Sequence, residues 1–358
     1  MGRKVRYALV GFGGIAENRL AREGFGLDRS RFDGLAEAEL IGAFDVNPDR
    51  RGAAEALQLR WYPSLAAVWQ DEEVEAVFIA TNNLSHAPLA LEALDRQRHL
   101  IVEKPLATTA AAAEEVCERA AAAGLSLSVD HMMVYQQLNV RARQMAADGT
   151  LGDIDDACFH MEFAYGYEAA EAASWRCSRP EELGGPIGDV ATHCFYLAED
   201  LLQQSIVEVA AVYYPRTMRI AAENGALIRL ALADGRNISV RVSFCDRRGG
   251  LAGTLGNLGY ELYGSKAVLR GYGTMFQLSG AAGEPFQPRL ELEKDGKVTI
   301  LRPSAAGNIY QAVIRAHAGS ILSGQPLDGR GAVHNLRVCE AAHASARAGG
   351  EWRRVDGC

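Results

Sequence analysis

Residues 7–16 read Tyr7-Ala8-Leu9-Val10-Gly11-Phe12-Gly13-Gly14-Ile15-Ala16. The first half is mostly apolar and has no helical period, which suits a strand buried on both faces. The second half is a G-x-G-x-x-A turn running into a helix expected over 15–23. Gly11 permits a tight turn, Gly13 leaves the backbone open to a close ligand, and Ala16 lets helix and strand pack together. The helix N-terminus then offers N–H groups to an anion. Glycines alone also make ordinary turns. The strand in front of them, near the start of the chain, favours a dinucleotide pyrophosphate held by Gly11, Phe12, Gly13, Gly14, Ile15 and Ala16.

Outward from this turn, strands are expected at 39–45, 75–81, 99–103 and 125–130. They alternate with helices at 49–57, 65–69, 88–96 and 109–123. Such alternation predicts an α/β unit, a Rossmann-type doubly wound parallel sheet. The second strand ends in Asp45, where an acid accepts hydrogen bonds from adenosine ribose hydroxyls; its distance from the glycines exceeds the usual ~20 residues. Residues 24–37 therefore read as a loop insertion. A carboxylate at Asp45 repels a 2′-phosphate, which favours NAD, and Arg50 and Arg51 nearby keep NADP open. Asp45 can also be read as a turn or cap residue before Asn47-Pro48. Residues 82–86 form the expected loop at the carboxyl end of the third strand, where ligands of such sheets collect.

After His131 the pattern changes. A helix at 137–148 leads to strand-like runs at 156–163, 206–214, 226–232, 238–244, 260–263, 267–271 and 297–301. Turn signals such as Ala233-Asp234-Gly235 separate several of them. One helix is expected at 188–202 and two more at 308–323 and 331–348. The chain thus divides into a dinucleotide-binding domain at 1–131 and an α+β domain at 132–358 with a large, mostly antiparallel open sheet.

The totals fit this division. With 358 residues the chain is too long for one ordinary core. A formal net charge of -8 and no long basic run disfavour nucleic acid and anionic membranes as partners. No leader is read before the first strand, and no apolar run reaches spanning length. The seven cysteines are odd in number and make no C-x-x-C pair, which fits reduced thiols and a cytoplasmic setting.

Several residues carry chemistry. Lys104 ends a central strand between Glu103 and Pro105, where its ammonium can stabilise a negative substrate oxygen; a surface lysine at a strand end is the plain alternative. Asp189 and His193 lie four apart on one helix, so they share a face. Histidine suits general acid/base work near neutral pH. Otherwise Asp189 is an N-terminal charge and His193 a core residue. No further ligands show metal spacing, so no metal is expected. His131, Tyr165, Tyr167, Trp175 and Arg176 are weaker candidates for substrate contact, with hinge or packing roles as the alternative.

Together the glycine turn, Thr81-Asn82-Asn83-Leu84-Ser85-His86, Glu103-Lys104-Pro105, Trp175-Arg176, the Asp189/His193 helix and Gly264-Ser265-Lys266 resemble the glucose-fructose oxidoreductase / inositol dehydrogenase (Gfo/Idh/MocA) family. The Glu-Lys-Pro and Asp-x-x-x-His motifs, about 85 residues apart, are the specific part. The resemblance implies cofactor contacts at Gly11, Gly13, Ala16, Asp45, Thr81, Asn83, His86, Glu103 and Lys104. It implies Lys104, Asp189 and His193 as the catalytic set and a cis peptide at Lys104-Pro105. It further implies an NAD(P)-dependent oxidoreductase moving hydride between nicotinamide and a carbinol or ketone carbon of a sugar, cyclitol or related polyol. A homodimer or homotetramer formed through the later sheet is expected. Two other readings stand beside it, an NAD-dependent glycoside hydrolase with recycled NAD and a non-catalytic dinucleotide sensor. Asn82 stands where that family often has proline, and Pro186 where it has a third glycine. Residues 131–135 lack the family's arginine-containing run.

Overall fold

A computed structural model of the chain describes residues 2–245, 258–275, 288–304 and 307–355. The described residues form two compact units. The first holds 2–132 and 307–333; the second holds the described parts of 133–304 together with 334–355. The division falls one residue past the expected boundary. The return of 307–333 to the first unit departs from a reading that gave everything after 131 to the second.

In the first unit six parallel strands are β1 (Val5–Val10), β2 (Ala38–Phe44), β3 (Arg60–Trp61), β4 (Ala76–Ile79), β5 (His99–Val102) and β6 (Leu127–Val129). Their order is β3-β2-β1-β4-β5-β6, the arrangement of a doubly wound dinucleotide fold. The central strands are inaccessible on both faces, as their continuous apolar runs require. The helix Ile309–Ser323 packs against β1 and the helix Ala16–Gly24. Its anchor is His317, whose Nε2–H donates to the Ser126 carbonyl at 3.1 Å while Nδ1 accepts from the Tyr7 hydroxyl at 2.8 Å. Burial holds this imidazole neutral, with its pKa pushed down to about 3.

In the second unit nine strands form one sheet: β7 (Ile154–Glu162), β8 (Ile206–Tyr213), β9 (Gly225–Leu232), β10 (Asn237–Ser243), β11 (Leu258–Gly264), β12 (Val268–Tyr272), β13 (Arg289–Lys294), β14 (Lys297–Leu301) and β15 (Arg353–Arg354). Their order is β14-β13-β12-β11-β7-β10-β9-β8-β15, antiparallel except for the β7–β10 pair. On β7 the apolar Ala157, Phe159 and Met161 are buried on one face. The helices Gln137–Ala147 and Thr192–Leu202 pack against each other, and the latter against β7. Among the described residues no helix is long and apolar enough to cross a membrane.

Some elements differ from their sequence reading. The run 82–86 is not a loop: a helix spans Asn83–Asp95. Asn82 caps it by accepting from Ser85 N–H at 3.0 Å, and this cap outweighs the breaking signal of Pro88. The charged alternation of β13 was not read as a strand. It pairs with β14 across Asp295 and Gly296, both at positive φ, as a two-residue hairpin requires. β3 and β15 are two-residue edge strands, too short for a periodic signal. The helix expected over 188–202 opens with a π-wound turn, Ile187–Ala191, before the α-helix Thr192–Leu202.

Candidate active site

The first unit's candidate residues follow the carboxyl ends of its strands. Asp45 comes after β2, Gly11 after β1, Thr81 after β4, Lys104 after β5 and His131 after β6. Sheet order therefore lays them in a row: Asp45, the glycine turn, Thr81, Glu103-Lys104, His131. Neighbouring strands lie about 4.8 Å apart. The row crosses the switch point where ligands of such sheets bind.

Local chemistry fixes each position. Gly11 has φ +90, and a Cβ there would lie 2.6 Å from the Ala80 carbonyl oxygen, so only glycine fits. Gly13 and Gly14 differ: no protein atom lies within 4 Å of where their Cβ atoms would be. The protein's own packing does not require glycine there, which fits a cradle for a pyrophosphate. Asp45 accepts from the Phe12 N–H at 2.6 Å and the Asn47 N–H at 2.8 Å, tying β2 to the glycine turn. Arg50 donates to the Phe12 carbonyl at 2.7 Å, pairs with Glu17 and lies over the Phe12 ring. Ile15 is largely exposed at the entry to the helix, and Ala16 is buried against the sheet.

His86 is buried in the first turns of its helix beside Asn83. Its Nδ1 lies 2.7 Å from the Pro105 carbonyl oxygen and its Nε2 3.3 Å from that of Thr81. It thus ties the ends of β4 and β5 together. The Lys104-Pro105 peptide is cis. The Lys104 N–H donates to the Glu103 carboxylate at 3.2 Å. His131 stands close enough to feel the Lys104 charge. Burial first, then that charge, pushes its pKa down to about 3, so the ring is neutral.

In the second unit a different cluster forms around the helix Ile187–Ala191 and its α-helical continuation. Glu223 is half-buried at the start and accepts from Ile187 N–H at 2.8 Å. Burial raises its pKa, with the Ile187 bond pulling the other way. Gly185, at φ +95, leaves room for this carboxylate, whose Cδ would sit 2.6 Å from any Cβ. Asp189 is met by Arg176, Nε to Oδ2 at 3.0 Å. The Arg176 guanidinium stacks on Trp175 at 4.6 Å, and the Asp189 charge raises its pKa further. Tyr165 also lies beside Arg176 and bonds Ser174 at 3.1 Å. Thus Asp189, Arg176, Trp175 and Tyr165 share one place. Tyr167 sits apart, half-exposed, with its hydroxyl on the Cys245 carbonyl at 3.2 Å.

His193 is buried, with Nδ1 2.7 Å from the Tyr196 hydroxyl. That oxygen also accepts from Met133 N–H at 3.3 Å. Among the described residues no three His, Cys, Asp or Glu side chains converge as a metal would need.

Two family models cover most of this chain. One, described as "Oxidoreductase family, NAD-binding Rossmann fold", matches residues 5–131, and the other, "GFO/IDH/MocA C-terminal domain", matches 139–270. The chain belongs to the Gfo/Idh/MocA family. It is accordingly an NAD(P)-dependent oxidoreductase. The 1,5-anhydro-D-fructose reductase of Ensifer adhaerens is 26% identical over 294 residues, 80% of this chain and 82% of that protein. An inositol 2-dehydrogenase of Rubrobacter xylanophilus is 28% identical over 326 residues, 87% and 84% of the two chains. Among solved structures, the aldose-aldose oxidoreductase of Caulobacter crescentus, complexed with glycerol, superposes with TM-score 0.83 at 21% identity, covering 98% of this chain and 100% of that one. A levoglucosan dehydrogenase in complex with NADH and levoglucosan does so with TM-score 0.81 at 16% identity, covering 99% and 100%. The structural likenesses speak to the fold.

One neighbour of the candidate residues in this Gfo/Idh/MocA chain was not anticipated from the sequence: Tyr196, whose hydroxyl bonds the His193 ring. The only signal was the i,i+3 spacing of His193 and Tyr196, which many helices show without meaning.

Proposed function

We propose that this enzyme moves hydride between NAD and a carbinol or ketone carbon of a sugar, cyclitol or similar polyol. The observation that carries the reading is the row of strand ends. Ribose acceptor, pyrophosphate cradle and cationic lysine follow one another across β2, β1, β4 and β5 in the order a stretched dinucleotide needs. The names of the two curated relatives, a reductase of an anhydro-sugar and a dehydrogenase of inositol, support a ring polyol as substrate.

Nicotinamide, when bound, supplies the hydride acceptor or donor. This chain supplies the rest. The Lys104 ammonium stabilises charge on the reacting oxygen. His193 takes the hydroxyl proton at Nε2 in oxidation and returns it in reduction. For that, Nδ1 must keep its hydrogen, and the Tyr196 oxygen is placed to accept it. Asp189, held by Arg176, binds a neighbouring hydroxyl. Tyr165 and Trp175 flank that carboxylate and give the ring a wall. Thr81, Asn83 and Glu103 would help to hold the cofactor.

We favour NAD over NADP. Asp45 and Glu17 are both acidic beside the glycine turn, and Arg50 is already engaged by Glu17 and the Phe12 carbonyl. Arg51 pairs with Glu55. Neither cation is left to meet a 2′-phosphate. Fluorescence titration should give NADH a Kd at least about tenfold below that of NADPH; the reverse order would refute the preference. A panel of cyclitols and sugars with NAD, followed by NADH absorbance, tests the activity. Absence of turnover across ring polyols in both directions would remove it. The open face of the β7–β14 sheet is the surface we assign to dimer or tetramer formation, testable by light scattering.

A further inference from the structure

Beneath Lys104 the sheet brings two carboxyls together. Val102 of β5 pairs with Val129 of β6 in parallel register, so the next residues, Glu103 and Asp130, are cross-strand neighbours. Asp130 N–H donates to the Val102 carbonyl at 2.9 Å, which continues that register. Like charges directly opposite on adjacent strands repel. Asp130 is wholly buried, and neither of its oxygens meets a hydrogen-bond donor among the described residues. The carboxyl that acts most strongly on it is that of its cross-strand neighbour Glu103. A buried, unpaired carboxylate is costly, and one shared proton removes both the charge and the missing donor.

The surroundings are defined on every side. From β5 come Glu103 and Lys104, and from β6 come Asp130 and His131. From the helix Ile309–Ser323 comes the buried Tyr310 hydroxyl, within electrostatic reach of both carboxyls and of Arg19 and Glu23 on the helix Ala16–Gly24. His86 bonds the Pro105 carbonyl, two residues beyond Glu103. Among the described residues, Lys104 is the one cation acting on Asp130.

We propose that Asp130 and Glu103 hold a single proton between them and act as one monoanionic unit that positions the Lys104 ammonium. Asp130 is then a positioning residue, acting through Glu103 and Lys104. Burial and the Glu103 charge both push the Asp130 carboxyl well above the usual carboxylate range, and Lys104 opposes them. One negative charge per pair balances one ammonium, whereas two would leave the site net negative where a nicotinamide nucleotide and an alkoxide must be accepted. The kinetic consequence rests on the catalytic role given above to Lys104; the shared proton does not.

The test has two arms. In cofactor-free protein, carbon NMR of side-chain-labelled aspartate should show one carboxyl still protonated at pH 7, and Asp130→Asn should abolish that signal. In turnover, Asp130→Ala should lower kcat by at least about tenfold, the effect of losing a hydrogen bond to a charged group. Asp130→Asn, which keeps a donor to Glu103, should recover most of that loss and flatten the pH profile on the alkaline side. An ionised Asp130 at pH 7, or identical pH profiles for the Ala and Asn variants, would overturn the proposal. The NMR arm needs no substrate, so a wild-type protein that oxidises no polyol would sink the functional reading and leave the proton test standing.

Discussion

Lys104 and His193, the two residues proposed above for charge stabilisation and proton transfer, belong to different units, and the two units hold them in different ways. In the first unit the site is set by the backbone. Gly11 is fixed by its φ, Lys104 by a strand end and a cis peptide, and Asp45 by two main-chain N–H groups. In the second unit side chains do the holding: Arg176 on Asp189, Tyr196 on His193, Glu223 at the helix start. Backbone devices leave a local mark in sequence, because only certain residues tolerate them. Side-chain partners come from anywhere in the chain and leave none.

Variants in each unit put this contrast to the test. The largest loss is expected from His193→Ala, which should lower kcat by on the order of 10²–10⁴ while NADH titration gives a near wild-type Kd. A large loss of NADH affinity would move His193 out of the proton-transfer role. Gly11→Ala acts in the opposite sense, on binding. Its Cβ would press on the Ala80 carbonyl at a positive φ, and calorimetry should find NADH affinity weakened at least about tenfold together with a lowered Tm. Unchanged affinity would show that the turn is not a cradle.

Tyr196→Phe should lower kcat by about tenfold, one hydrogen bond's worth, and shift the pH optimum, with KM little changed. A loss of stability without a shifted pH profile would make Tyr196 a packing residue only. The smallest effect concerns His317. Its folded pKa of about 3 lies below the ordinary value of about 6.5. Its contribution to stability is therefore present above pH 6.5 and lost as pH falls towards 3, since the unfolded state binds the proton first. Thermal melts of His317→Gln should show a Tm lowered by a few degrees at pH 7 and a gap to wild type that narrows on acidification. A gap that widens would contradict a neutral buried ring.

The same contrast explains what could be read beforehand. The parallel unit was legible from 7–16 because apolar strands, glycines and alternating helices are local signals. The order of Glu103-Lys104-Pro105 and the Asp189/His193 helix carried the family likeness. Three things were not legible. The first turn of the helix Asn83–Asp95, ahead of the start expected at Pro88, was hidden, although Asn82 and Ser85 held its signal. β13 was hidden by its charges, although Asp295-Gly296 marked its turn. The return of 307–333 to the first unit depends on the buried His317 contacts with Tyr7 and Ser126, which lie about 310 and 190 positions away. No window of sequence joins them.

In the proposed reaction, Lys104 and His193 act on one reacting oxygen. A double-mutant cycle of Lys104→Met and His193→Ala, read as kcat on the best polyol substrate with NAD, tests it most directly. Each single variant should lose on the order of 10²-fold or more, and the double variant should be scarcely worse than the poorer single one, because both groups serve the same step. Losses that multiply would mean that the two groups act independently, and the shared oxygen would have to be abandoned.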